Sequence, residues 1–499
     1  MAEAAVIHAR RAWWRALALA LLAALAITAC FSPRFGLWRG LGIPDLQVFP
    51  EVNRAQDALR QLEAPLAPIA NPSNRAIEWR LLFPFLGYAL HLPPRFYLAL
   101  PGLGCLATLL YGALLLQRHG WRSVETLPAL LVIGSAPWFF VSTGWLAYFD
   151  SWVVLALLVC TFTRSRVALG GACLLAPWID ERFLFFLPLC LLLRPLAHAE
   201  AEPAGVAAPQ LAWKIALAAV APYLALRAGV LVFGTGRDAA AMVELARSGR
   251  PALPWNGYFW GSWEGLRLAW IPVAWFLLRG PAPPRVRGLL ALVTALTLVV
   301  LFSLAADFSR TAGMLPPLAL LALIHCDRIP GVSRRRLLWI LAVASLALPA
   351  GHVVNDSRVA LRSVRHELTA WRQPPEFLQP DRYNVRATER LIAGDPSAAL
   401  HQLEYALQLD PSFTPALINR STALGRLGRW DEAQSAAAEA LLLAPTEPRA
   451  WYARAQARRG AGDKTGALAD ARRALELAPP GHPFRATIET WLADLRPRL

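Results

Sequence analysis

The sequence predicts an all-α protein: a polytopic bundle of transmembrane helices followed by a soluble helical solenoid. Three observations lead there. First, 56% of the 499 residues are hydrophobic and only 17% charged, with a mean hydropathy of +0.38. That is more apolar than an ordinary soluble domain and far too apolar for a disordered chain. Second, the charge is uneven: residues 1–350 hold 47 charged side chains, and the remaining 149 residues hold 37. Third, Pro411, Pro445 and Pro479 recur every 34 residues, a period that marks stacked helical pairs.

A helix needs roughly 20 apolar residues to cross the hydrocarbon core of a bilayer. The clearest such segments are 13–31, 96–117, 125–145, 211–233, 287–306 and 311–326. Shorter apolar runs lie at 150–163, 167–179, 183–197, 266–278 and 337–351. Together they predict about eleven spans, with 81–92, broken by Pro84, left open.

Orientation follows from the basic residues, which concentrate on the cytoplasmic side. With Arg10, Arg11 and Arg15 inside, the N-terminus and alternate connections carry 16 basic residues against five acidic ones. The opposite turns carry Asp150, Asp180-Glu181-Arg182, Asp307 and Arg310, two basic against four acidic. The chain therefore reads as a multi-pass protein of the inner or plasma membrane, its N-terminus cytoplasmic and its C-terminal part extracytoplasmic. The expected domains are a membrane domain over 1–351 with a long outer loop at 32–80, a linker at 352–379 containing Pro374-Pro375, and repeats over 380–499. The formal charge of +16 belongs mostly to the membrane part and punctuates apolar segments. A nucleic-acid partner, which would need one basic patch, is excluded on that ground. All six cysteines lie in or beside apolar runs and read as small packing residues.

Other columns repeat in phase with the prolines: Gly394/Gly428/Gly462, Ala399/Ala433/Ala467, Ala406/Ala440/Ala474 and Leu409/Leu443/Leu477. Small residues recur at Ala387/Ser421/Ala455, and large ones at Tyr383/Leu417/Trp451. The pattern resembles the tetratricopeptide repeat, with three copies over 380–481 and 483–496 as a capping helix. That resemblance implies antiparallel helix pairs, closely packed through the small residues, and a protein or peptide ligand on the repeat surface.

Ionisable groups at membrane depth are costly, and so they point to function. Spans 167–179 and 183–197 are short, which places their connecting tip, Asp180-Glu181-Arg182, below the membrane surface in a water-accessible cavity. Asp150 stands similarly at the end of its span, and Arg227 lies within 211–233.

The layout resembles the glycosyltransferase C superfamily. The features that carry this resemblance are the inside N-terminus, the acid-bearing loop after the first span, and the stretches "RLLFPFL", "GWLAYFDSW" and "DER". It implies an outward-opening active cavity, a polyprenyl-phosphate sugar donor and contact with membrane lipid. Asp45, then Glu51, are the acids that match in the first loop, with Asp150 beside them as a catalytic candidate. A carboxylate is needed to take the acceptor's proton, and cations to hold the departing phosphate. Arg80, Arg182, Arg227 and Arg310, with Asp180 and Glu181, are the candidates for binding the lipid phosphate. The first loop has no adjacent pair of acids, so the metal is unassigned and a divalent cation stays open. Repeats on the outer face resemble those of the lumenal repeat-bearing O-mannosyltransferases, which implies a protein acceptor. The competing reading is a non-catalytic, membrane-anchored repeat scaffold for envelope assembly; a transporter or flippase stands behind it.

Overall fold

The computed structural model describes residues 2–41, 50–69, 72–199, 208–233, 255–305, 307–354, 357–371, 379–479, 481 and 483–495. The chain divides into two compact units, Met1–Trp371 and Arg372–Leu499. Apart from one hairpin, the regular structure among the described residues is helical.

The first unit begins with α1 (Ala2–Cys30), the four-residue α2 (Leu37–Gly40) and α3 (Pro50–Glu63). After α4 (Leu82–Ala89), Pro93 and Pro94 start α5 (Pro94–Arg118), where their missing N–H groups cost nothing. Gly120, at φ 73°, turns the chain into α6 (Ser123–Gly134). The Glu125 carboxylate accepts the Arg122 backbone N–H at the start of α6. Next come α7 (Pro137–Gly144), α8 (Asp150–Phe162), α9 (Arg166–Leu175), α10 (Arg182–Ala197) and α11 (Pro209–Phe233). The unit continues with α12 (Trp255–Leu266), α13 (Trp270–Arg279), α14 (Pro284–Leu304), α15 (Phe308–Ala312), α16 (Pro316–Ile324) and α17 (Arg334–Ala347). Helix α1 packs on α5 and α6, α8 lies between α5 and α10, and α9 packs on α11.

Four helices among the described residues are long and apolar enough to cross a membrane: Arg10–Cys30, Pro94–Arg118, Pro209–Gly229 and Pro284–Leu304. Helices α6 and α7 would make a fifth only as one span, and they are bent by 69°. The expected count was about eleven. Five of the expected spans form helices of only 10–16 residues, and two more are broken locally. Pro137 cannot continue the hydrogen-bond ladder of α6, so the expected span 125–145 breaks there. The span expected at 311–326 is divided at Pro316-Pro317 into the five-residue α15 and the nine-residue α16. The long helices keep wide apolar surfaces uncovered. Leu292, Leu296 and Val299 of α14 are each more than half exposed, as is Leu25 of α1.

The segment expected to be a linker, 352–379, is ordered in its first part. Strand β1 (Gly351–Val354) pairs antiparallel with β2 (Ser357–Ala360), Gly351 opposite Ala360, and α18 (Val364–Ala370) follows. The hairpin is fixed to the first unit by Arg358, which forms a salt bridge with the buried Glu264 of α12. Sequence reading passed over this hairpin because four-residue strands carry too few alternations to register.

The second unit is the repeat. Its helices alternate as α19 (Pro380–Ile392), α20 (Pro396–Leu409), α21 (Thr414–Arg426), α22 (Trp430–Leu443), α23 (Pro448–Gly460), α24 (Lys464–Leu477) and α25 (Pro483–Leu495). Each repeated column has a physical cause. Gly394, Gly428 and Gly462 sit at φ 79°, 75° and 93°, the left-handed turn that ends the first helix of each pair. Asp395 and Asp463 then cap the following helices by accepting the N–H of Ala398 and Gly466. Both alanine columns, 399/433/467 and 406/440/474, are fully buried where helices meet. The leucine column is different, because Leu443 is about half exposed and belongs to a helix end.

Candidate functional site

The first loop folds back on itself before it reaches the later helices. On α3, Val52, Ala55, Ala58 and Leu62 are buried, and so are Asn53, Arg54, Asp57 and Gln61. The helix is therefore enclosed by protein on both its apolar and its polar face, although its amphipathic pattern is that of a helix lying along a membrane interface. Its polar face is bonded to the turn at Pro72–Trp79. Asn74 donates to Asn53 and Asp57, both at 2.8 Å, and Gln61 donates to the Ile77 carbonyl at 3.0 Å. This packing delivers Arg54 and, just past the turn, Arg80 to the ends of α8 and α10.

There the charged groups converge. Asp150, fully buried at the start of α8, accepts from Arg310 Nε and Nη2 at 2.8–3.1 Å and from Arg182 Nη2 at 2.5 Å. Arg182 also forks onto Asp180, with Nε to Oδ1 at 2.9 Å and Nη2 to Oδ2 at 2.7 Å. Arg80 reaches the same Asp180 at 2.9 Å and binds Glu181 through both Nε and Nη2. The short tip between α9 and α10 is thus an ion-paired knot. Its charges are neutralised side by side, which is the condition for burying them.

The network continues at α15. Asp307 accepts from Arg310 Nη1 at 3.2 Å and lies 3.5 Å from His352 Nε2. His352 Nδ1 meets the hydroxyl of Ser309 at 3.0 Å, and Ser309 accepts the Val353 N–H at 2.9 Å. Helix α15 comes close because Gly261 and Gly265 of α12 face it. A Cβ at either glycine would collide with Phe308 or Ala312.

Arg54 was not singled out from the sequence. It stacks over the Tyr148 ring at 4.0 Å, with Arg310 over the same ring at 4.3 Å, and donates through Nε to the Ala147 carbonyl at 3.4 Å. Among the described residues it has no carboxylate partner within salt-bridge distance. Burial, with Arg80 and Arg310 close by, pushes its pKa down to about 10, so it still carries its charge at neutral pH. Arg54, Arg80 and Asp180 line a narrow cleft of about 20 Å³, room for about one water molecule, walled by Tyr97 and Phe149. The available signal was the spacing of Arg54, Asp57 and Gln61, which share one helical face.

The other expected site residues fall as follows. Asp45 lies outside the described residues; Glu51 is on the first turn of α3, but its side chain also lies outside them. Among the described residues Arg227 joins no carboxylate; its guanidinium stacks over Trp79 at 4.6 Å, next to Arg80 in sequence. Among the described residues no three His, Cys, Asp or Glu side chains are grouped to hold a metal ion. The cysteines are free, with Cys160 and Cys173 in thiol contact at 3.7 Å.

Residues 390–457 match the Tetratricopeptide repeat family, somewhat over half of the helical array. No curated protein matches the chain. Among solved structures, the chain is similar to the first TPR domain of the human RPAP3 protein at 21% identity. That match covers 25% of this chain and 99% of that one, with a TM-score of 0.21. It is also similar to yeast Tom70 (14% identity, 74% and 95% covered, TM-score 0.22). A third similarity is to the Cut9-Hcn1 hetero-tetramer of APC/C (14% identity, 90% and 97% covered, TM-score 0.22). The repeat assignment rests on the family match and on the 34-residue columns, and repeats of this kind suggest a role in protein interaction.

Proposed function

We propose that the chain is a membrane glycosyltransferase that moves a sugar from a polyprenyl-phosphate donor to an extracytoplasmic acceptor. One observation carries this reading: two arginines from the first loop, Arg54 and Arg80, line a cleft against an ion network drawn from three later helix ends. A scaffold has no use for a buried cation such as Arg54 facing a cleft; a phosphate site does.

In this reading the first unit is embedded in the bilayer, supported by the four long apolar helices and their uncovered leucines and valines. The shorter helices complete the bundle, entering or crossing the membrane to make up about eleven elements. The N-terminus is cytoplasmic, and the cleft and the repeats face outward, as the basic residues imply. Asp45 removes the proton from the acceptor hydroxyl. The hydroxyl oxygen then forms a bond to the anomeric carbon, and the bond from that carbon to the phosphate oxygen breaks. The electron pair leaves on the lipid phosphate, which Arg54 stabilises, while Arg80, held by Asp180 and Glu181, lines the same cleft. Asp150, whose oxygens are taken by Arg182 and Arg310, positions those guanidinium groups. Glu51 stays close to Asp45 in the same loop as a second acid, and Arg227 flanks the entry beside Trp79. The repeats hold a protein partner or acceptor.

The binding step can be tested separately from transfer. Purified full-length protein should bind a short-chain polyprenyl phosphate in detergent, and Arg54→Gln should weaken that binding at least tenfold without lowering the melting temperature. Equal binding by Arg54→Gln would remove the phosphate site from this cleft. The scaffold reading, favoured by the repeat match alone, would then stand.

A further inference from the structure

The second unit has its own site. Helices α21, α23 and α25 line a groove of about 450 Å³. Its floor is made of small side chains, among them Ala453 and Ala457. Its walls are two half-buried indoles, Trp430 and Trp491. Trp430 is seated against Gly425 and Gly460, where a Cβ at Gly460 would overlap the ring. Two exposed arginines stand at the groove. Arg426 donates one Nη1 hydrogen bond to the Leu391 carbonyl at 2.5 Å, and Arg459 lies over the Trp491 ring at 5.3 Å. Among the described residues no carboxylate lines it.

The charge of the whole array agrees with this local picture. The first helices of the three repeats, α19, α21 and α23, carry nine arginines and two acids. The second helices, α20, α22 and α24, carry six acids and three basic residues. The first helices of neighbouring repeats also contact one another, which places them along the inner side of the stack. The inner side is therefore positive, and the acids stand behind it. On the inner wall Arg454 and Arg458 both pair with Asp470, and Arg458 also lies 3.8 Å from Asp463.

We infer that this groove binds an acidic peptide segment of another protein, one apolar side chain seated between Trp430 and Trp491 and flanking carboxylates held by Arg426 and Arg459. The inference rests on the protein-partner part of the proposed function and adds the chemistry of the partner. Size and charge both select it. The small floor leaves room for one large apolar side chain, and guanidinium groups are suited to paired recognition of carboxylates. Partial exposure of the arginines makes the binding sensitive to salt.

The test is a selection of random dodecapeptides on full-length protein in detergent, followed by fluorescence anisotropy with the enriched peptides. Enriched sequences should carry net negative charge beside a leucine or an aromatic residue, and raising the salt should weaken them. Replacing their Asp and Glu by Asn and Gln should abolish binding. The double variant Arg426→Glu, Arg459→Glu should lose at least tenfold in affinity while remaining fully helical by circular dichroism at the assay temperature, since both side chains are exposed. Gln456→Trp, which fills the groove and keeps its charge, should lose as much. Enrichment without acidic bias, binding retained in both variants, or displacement of the peptides by DNA or anionic vesicles would overturn the inference. None of these outcomes bears on lipid phosphate binding, so the two proposals fail separately.

Discussion

The carboxylate of Asp150 is held by the guanidinium of Arg310, 160 residues further along the chain, through three contacts of 2.8–3.1 Å. This pair ties the start of α8 to α15, and Arg182 extends it to the tip between α9 and α10. Removing one member of a buried ion cluster leaves the others uncompensated, at a cost of about 3–5 kcal/mol. Asp150→Asn should therefore lower the melting temperature of the purified protein sharply. A variant as stable as the parent would mean that the network is solvated and not structural.

Helix α12 should tolerate no side chain at Gly265. A methyl group there meets the Ala312 backbone and Cβ, so Gly265→Ala should push α15 outward and carry Arg310 away from Asp150. Overpacking of this kind costs about 1–3 kcal/mol. A thermal melt of Gly265→Ala beside Gly288→Ala, where nothing lies within 4 Å, isolates the effect. Equal melting of the two would contradict it.

The repeat unit should fold without the rest of the chain. It contains its own cores, one around Leu417, Ala440 and Ala453 and another around Tyr452, Ala474 and Ile488. A fragment covering 372–499 should be helical and melt cooperatively. Its stability should also depend on pH in a defined direction. Burial raises the phenol pKa of Tyr383 and Tyr452 in the folded state. Above the ordinary phenol value, near 10, the unfolded chain gives up protons that the folded one keeps. Stability then falls as pH rises through that range. Urea titrations at pH 8 and pH 11 would show it, and replacing both tyrosines by phenylalanine should remove most of the difference.

Topology can be read with fused reporters. An enzyme active only outside the cytoplasm should work after Leu499 and fail when inserted near Arg122. The reverse pattern would place the cleft and the repeats on the cytoplasmic side.

The repeat was legible because each 34-residue column answers a local demand: glycine for a left-handed turn, alanine for close helix contact. The first unit was less so. Hydropathy reports that a segment is apolar, and it does not show where Pro137 or Pro316-Pro317 divides the helix. The charged residues at short turns drew attention to Asp150, Asp180, Arg182 and Arg310, which the fold brings together. Arg54 escaped notice because α3 is apolar on one side and polar on the other, the pattern of a helix at a membrane surface. Only tertiary packing reveals that both faces are covered. The Gly261/Gly265 spacing was readable, but its meaning depends on which helix lies opposite.

Sugar transfer by the purified protein tests the central claim most directly. Full-length protein in nanodiscs, given polyprenyl-phosphate sugars with a radiolabelled sugar and an extracytoplasmic protein extract as acceptor, should move label to protein. Asp45→Asn and Arg54→Gln should each reduce that transfer at least a hundredfold, about 2.7 kcal/mol of barrier, while melting as the parent does. Full activity in both variants, or release of label from no donor by the parent protein, would contradict the account.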